Sequence, residues 1–167
     1  MLCKINYLAG YTDGTKTACT EAMKKDPQNP SNYIYLGQNH VNQGEEKKGK
    51  RMLASVGKKF SSSEEALWAA ADSYYQSKDI SQAYNFFKQA SQHPDAQARD
   101  YLGLAKTAFE LNKYGEALNA FVRHCEVSQH LHQEFRRASG LLKKEQKWQE
   151  RYRQKMLDCK PTSYDKN

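Results

Sequence analysis

Residues 32–37 read NYIYLG, and three of them, Tyr33, Leu36 and Gly37, decide the fold. A step of 34 residues along the chain gives Leu67, Ala70 and Ala71. A second step gives Tyr101, Leu104 and Ala105, and a third gives Phe135, Ala138 and Ser139. A large residue, a small one or Leu, and a very small one recur four times without a gap. The second half of the unit agrees. Ala83, Phe87 and Ala90 in SQAYNFFKQA become Ala117, Phe121 and His124 in GEALNAFVRH, and Tyr74 sits seven after Leu67. A fixed period of this length marks stacked supersecondary units. A helix pair cannot bury both its faces alone, so stacking buries a continuous core, and small residues let helices approach to about 8–10 Å. A bulky residue at Ala71 or Ala105 would overpack such a contact, at a cost of about 1–3 kcal/mol.

The rest of the composition agrees with helix. Strand-forming residues are scarce, with four Val and three Ile in 167 residues. The prolines are Pro27, Pro30, Pro94 and Pro161, so 31–93 and 95–160 are proline-free and can run as helices. Ser62 followed by Glu65 reads as a capping box, Asp79 with Gln82 as a looser one, and Gly44 and 112–115 as turns. The expected helices are 31–43, 45–57, 63–77, 80–92, 95–111, 113–128, 131–145 and 147–159. Eleven Tyr, six Phe and two Trp supply more apolar surface than a disordered polyampholyte has. The longest apolar run, Ala66 to Ala71, is far short of the ~20 residues that span a bilayer. The first residues given do not read as a basic segment followed by an apolar one, so no signal peptide is expected among them.

At NYIYLG and KYGEALNAF the chain resembles the tetratricopeptide repeat family, whose motif is W-x2-L-G-x2-Y, then A-x3-F, then P, at a period of 34. The resemblance implies an all-α, right-handed solenoid of antiparallel helix pairs. In its frame residues 1–167 form a single array. The partial repeat is 1–29, the repeats are 30–63, 64–97 and 98–131, degenerate or capping helices fill 132–160, and 161–167 is a tail. Gly49 and Leu53 depart from the expected Ala and aromatic. Trp148 fits the motif, but Arg151 and Lys155 stand where small and aromatic residues are expected, as in a capping helix with a polar outer face. Counting backwards, the segment ACTEAMKKDP ends an earlier unit whose first five positions precede Met1. Met1 then opens a fragment of a longer protein, or the first unit is a degenerate cap.

In this family the first helix of each pair lines the concave surface, where ligands sit. The matching slots are Ile34, Tyr35, Gln38, Val41 and Asn42, then Trp68, Asp72, Tyr75 and Gln76. Leu102, Lys106, Phe109 and Glu110 follow, and then Arg136, Arg137, Lys143 and Lys144. The resemblance therefore implies an aromatic and aliphatic strip that ends in a basic patch. Tyr35, Gln38, Trp68, Asp72, Tyr75, Lys106, Phe109, Arg136 and Arg137 are the candidate groove residues. Trp68, Tyr75 and Phe109 would anchor a peptide at about 1.5–3 kcal/mol each. Lys106, Arg136 and Arg137 would read its acidic groups. The alternative is that the aromatics pack against the adjacent repeat. A two-carboxylate clamp for chaperone C-termini is excluded, because only Arg99 of its slots (Ile34, Gln38, Ala69, Arg99, Gly103) matches.

The expected function is a non-enzymatic scaffold for a protein or peptide segment, with periplasm or cell envelope favoured over cytoplasm and export or assembly systems as the setting. Direct binding of an anionic or sugar polymer, as in polysaccharide export, and a small secretion chaperone are the alternatives. The formal charge is +7, and two basic clusters carry it. One is Lys47, Lys48, Lys50, Arg51, Lys58 and Lys59. The other is Arg136, Arg137, Lys143, Lys144, Lys147, Arg151, Arg153 and Lys155. No nucleic-acid motif accompanies them, Glu134, Glu145, Glu150 and Asp158 dilute the second, and a solvated face is the preferred reading.

The spacing of Cys3, Cys19, Cys125 and Cys159 fits no zinc site. Cys3 and Cys19 take facing slots of a helix pair and would bridge in an oxidising compartment if their Cα atoms lie within about 4.4–6.8 Å. Buried thiols are the alternative. Cys125 and Cys159 are one period apart on equivalent helices, which predicts free thiols. His130 and His132 point to different faces, with His124 near in sequence only. No phosphate loop, nucleophile elbow or isolated carboxylate pair is present, so no cofactor, metal or catalytic residue is expected.

Overall fold

In the computed structural model the described residues are 1–130 and 132–159. Among them the chain forms ten α-helices and no strand. They are α1 (Leu2–Leu8), α2 (Thr12–Lys25), α3 (Pro30–Asn42), α4 (Glu46–Lys59), α5 (Glu64–Gln76), α6 (Ile80–Gln92), α7 (Ala98–Glu110), α8 (Tyr114–Ser128), α9 (Gln133–Leu141) and α10 (Gln146–Asp158). Leu131, Lys160 and the tail expected at 161–167 lie outside the described residues.

The helix ends follow local chemistry. Asn29 caps α3 by accepting from the Ser31 N–H, with Pro30 in the first turn. Asp79 accepts from the Gln82 N–H at 3.2 Å. The cap of α5 is Ser63, which accepts from the Ala66 N–H at 3.3 Å, one residue later than the sequence suggested. The expected helix 95–111 begins at Ala98, where Gln97 and Asp100 form a capping box. The expected 131–145 shortens to α9.

The period is present in the backbone itself. Gly10, Gly44, Lys78 and Asn112, spaced 34 apart, have φ of 75°, 81°, 64° and 58°. Each is followed by the same closing bond: Tyr11 N–H to the Asn6 carbonyl, Glu45 to His40, Asp79 to Tyr74 and Lys113 to Ala108, at 2.8–3.0 Å. This left-handed turn satisfies a terminal carbonyl of the first helix and reverses the chain. Gly10 and Gly44 adopt it freely, whereas Lys78 does so against its Cβ.

Contacts divide the chain into two units, Met1–Ala90 and Ser91 onward. In the first, close approach is set by small residues. A Cβ on Gly49 would lie 2.6 Å from the Gly37 carbonyl and 2.8 Å from the Val41 nitrogen, so α3 and α4 nearly touch through their backbones. A Cβ on Gly57 would meet Ala70 of α5 at 2.5 Å. Ile34, Leu53, Val56, Phe60, Ala66 and Ala69 form one core cluster. Cys3, Cys19 and Leu36 form another, and Tyr74 stacks on Phe86 at 5.6 Å.

Cys3 and Cys19 are disulfide-bonded, with Cα atoms 4.5 Å apart. They occupy the slots that Gly37 and Leu53 take one period later, so a covalent bond replaces a small-against-large contact. In the second unit the expectation of free thiols is corrected: Cys125 and Cys159 are bonded, Cα to Cα 6.1 Å. Cys159 is the C-cap of α10, already off helical geometry, and this carries it towards α8. An interhelix spacing of about 8–10 Å does not apply to a residue that has left its helix.

The second unit centres on rings. Phe121 stacks on Phe135 at 4.9 Å, and fully buried Tyr152 meets Phe109, Phe121 and Phe135 edge-on at 5.7–6.3 Å. Its hydroxyl donates to the Tyr114 carbonyl at 2.9 Å. Burial, with Tyr114 adding to it, pushes this phenol's pKa up. Trp148 lies against Tyr114, under Arg151 and over Gly115.

Candidate functional site

The nine candidate groove residues fall into two sets. Tyr35 and Gln38 on α3 and Trp68, Asp72 and Tyr75 on α5 belong to the first unit. Lys106 and Phe109 on α7 and Arg136 and Arg137 on α9 belong to the second.

In the first unit, α3 and α5 pack against one another. Trp68, Asp72 and Tyr75 recur at i, i+4 and i+7, which places them along one stripe of α5. Trp68 is half-buried, packed against the Ile34–Leu53–Val56 cluster. Asp72 accepts from Gln76 Nε2 at 2.6 Å, and the Lys78 ammonium lies 6.0 Å above the Tyr75 ring. Tyr35 is half-buried against Tyr7, with ring centroids 5.2 Å apart. Gln38 is half-buried, and Asn42 and Gln76 are exposed. Ile34, expected on the concave face, is instead 3% exposed and belongs to the core. It belongs to the cluster with Leu53, Val56, Phe60, Ala66 and Ala69 rather than to an open stripe with Tyr35 and Gln38. What remains is a surface of aromatic planes rooted in the core, with amide and carboxylate groups between them. Such a surface can bury an apolar side chain and hydrogen-bond a backbone.

In the second unit, Phe109 is half-buried between Tyr114 at 5.3 Å and Tyr152 at 6.2 Å. Much of its surface is therefore already used. Arg136 and Arg137 are exposed, and Arg137 Nη1 lies 3.7 Å from Glu134 Oε1. Lys143, Lys144, Lys147 and Arg153 are also exposed. Lys106 is half-buried, and its charge acts on His132.

His124 was expected near His132 in sequence only, and it is near in space as well: the rings are 5.4 Å apart and edge-on. His124 Nδ1 lies 2.8 Å from the Ala98 carbonyl. His132 Nδ1 accepts from the Glu134 N–H and caps α9. Burial, then the charges of His124 and Lys106, hold the His132 pKa below its ordinary value, against an opposing effect of Glu134. Among the described residues no group of three or more His, Cys, Asp or Glu gathers as a metal site. No described helix is long and apolar enough to cross a membrane.

Sequence reasoning missed Tyr152, although the period contained it. Tyr84, Leu118 and Tyr152 are spaced 34 apart and all are buried. It also missed the exposed apolar side chains of α1, because helical period alone does not separate a covered face from an open one.

Comparisons with known proteins follow the same lines. The family model described as Anaphase-promoting complex, cyclosome, subunit 3 matches residues 49–124. No curated protein matches significantly. Among solved structures, a crystal structure of MamA protein is similar at a TM-score of 0.69 and 17% identity, covering 95% of this chain and 86% of that one. A second MamA structure gives 0.66 and 20%, covering 95% and 94%. The crystal structure of TTC0263, a thermophilic TPR protein in Thermus thermophilus, gives 0.55 and 15%, covering 93% and 96%. At these identities the likeness is one of fold.

Proposed function

We propose, from the premise that this chain has the all-α tetratricopeptide-repeat fold, that it works as a protein–protein interaction scaffold without catalysis of its own. The binding surface in this reading is made of Tyr35 and Gln38 on α3 and Trp68, Asp72 and Tyr75 on α5, two helices that pack against one another. The observation that carries this reading is Trp68, half-buried with its position held by the core and with Asp72 four residues further along the same stripe. A rigid, partly exposed aromatic that is already ordered loses little entropy on binding and makes an efficient anchor. An extended or helical peptide with apolar side chains fits this surface. On the second unit, taken by itself, Phe109 would anchor an apolar side chain, and Lys106, Arg136 and Arg137 would receive acidic groups.

The two disulfides support an oxidising compartment, since bridges of this kind persist outside the cytosol. On that ground the proposed setting is the periplasm or cell envelope, in export or assembly machinery. The exposed cations of α9 and α10 support a second reading, capture of an anionic polymer.

A fluorescence titration tests both. Trp148→Phe leaves Trp68 as the single tryptophan reporter. Peptides carrying apolar anchors should change its emission, with shallow salt dependence, and Trp68→Ala should weaken binding about tenfold or more, measured by labelled-peptide anisotropy. Unaltered peptide affinity in Trp68→Ala would remove the anchor. Binding of a sulfated polysaccharide that falls steeply with salt would favour the polymer reading.

A further inference from the structure

We infer that the outer face of α4 is a second docking surface, one that binds an extended acidic segment of a partner protein. Lys47, Arg51 and Lys58 are exposed and stand at i, i+4 and i+11, on one stripe of the helix. The acids of α4 and its N-cap, Glu46 and Glu45, are taken by Lys50 at 3.3 Å and Lys48 at 3.0 Å. Among the described residues Lys47, Arg51 and Lys58 have no ion-pair partner. The helix macrodipole accounts for Lys58, near the C-terminal end, but it opposes Lys47 in the first turn.

The repeat frame supplies a control. One period later the same stripe of α6 holds Ser81, Asn85 and Gln92, all exposed and uncharged. One period earlier α2 holds Asp13, Thr17 and Lys24, exposed and balanced in charge, with Lys24 bonded to Glu21 at 2.8 Å. The second helix of a pair in this chain therefore needs no row of cations to be solvated. The sequence pattern alone favours a solvated face for the α4 cluster, and α6 shows that such a face can be neutral.

Charge complementarity makes the occupant an anion, and the strip narrows its kind. The row is confined to α4, whereas a planar lipid surface would favour cations on several helices. The exposed side chains of α4 include no aromatic ring to stack on a sugar. Lys47 and Lys58 lie about 17 Å apart along the axis, at about 1.5 Å per residue. Five residues of extended chain, at about 3.3 Å each, cover the same distance. Carboxylates at i, i+2 and i+5 of an extended segment match Lys47, Arg51 and Lys58. None of these residues belongs to the surface of Tyr35 and Trp68, so each reading can fail alone.

The probe is a fluorescently labelled peptide of about eight residues with Glu at i, i+2 and i+5 among Gly and Ser, titrated against the whole chain by anisotropy. The expected result is saturable binding at low ionic strength that weakens steeply with salt. It should fall about tenfold or more in the triple variant Lys47→Gln, Arg51→Gln, Lys58→Gln, and in the same direction in Arg51→Glu alone. Trp68→Ala should leave it unchanged. So should a matched control on α2, Lys16→Gln, Lys24→Gln, Lys25→Gln, which removes the same charge elsewhere. The substituted lysines and Arg51 are all exposed, and circular dichroism checks that the fold is kept. Absence of saturable binding overturns the proposal. An equal loss in the α2 and α4 triples also does, because the peptide then reads net charge alone. So does capture of phosphatidylglycerol vesicles or of a sulfated polysaccharide that the α4 triple abolishes while peptide binding stays the same.

Discussion

The pair α3–α4 and the pair α9–α10 are held by opposite means. In α3–α4, side chains are removed: Gly37 and Gly49 let the two backbones meet. In α9–α10 the small slot holds Arg151 and the aromatic slot holds Lys155, both exposed. There Tyr152 meets Phe135 of α9 in the ring cluster, and the bond from Cys159 to Cys125 ties α10 to α8. Loss of the period's residues therefore does not mean loss of the period's hairpin, provided a large buried group and a covalent link replace close approach.

The sharpest way to break this contrast is Tyr152→Ala. It should destabilise the second unit by about 3–5 kcal/mol in denaturant unfolding, as large buried aromatics do. Tyr152→Phe should cost only about 1 kcal/mol, the net worth of its bond to the Tyr114 carbonyl. Next is the double variant Cys125→Ala with Cys159→Ala. The closed loop has a sequence separation of 34, which predicts a loss of about 4 kcal/mol against the oxidised protein. Removing Cys3–Cys19, with a separation of 16, should cost about 3 kcal/mol. If either change is silent in paired melts, the staple is dispensable.

Gly49→Ala tests the other side of the comparison. The new methyl would press on backbone atoms that cannot rotate away, so about 1–3 kcal/mol should be lost in the first unit. An alanine variant as stable as the parent would show that α3 and α4 have slack.

A smaller effect distinguishes the two units by pH. His132 has its folded pKa lowered, so the folded state prefers it neutral. Its contribution to stability is complete above the ordinary value of 6.5 and is lost as pH falls through the lower folded value. Protonation at Nδ1 also removes the acceptor that caps α9. The second unit should weaken between neutral and mildly acidic pH, and His132→Asn, which can still cap, should flatten that dependence in urea titrations. The smallest expected change is a gain. Lys78→Gly relieves the left-handed strain at φ 64° and should stabilise the first unit by about 0.5 kcal/mol, less if the freed unfolded chain offsets it.

How much of this was legible differs by residue. The small slots Gly37, Ala71, Ala105 and Ser139 are all buried, as the spacing required, because a helix crossing demands small side chains wherever it recurs. For Trp68 the spacing left two readings open, a surface-lining aromatic or one packed against its neighbours, and its half-burial against the Ile34 cluster shows a residue between two faces of one helix. Ile34 was misplaced for the same reason.

The chain's own sequence thus determined the period, the helix pairs, the turns and the identity of the close contacts, because these depend on local geometry repeated at a constant interval. Only the tertiary structure decided that Cys125 reaches Cys159, that His124 faces His132 and that Tyr152 fills the ring cluster. Each of those depends on where an element ends and what lies across from it, and a periodic pattern carries no information about its own boundaries.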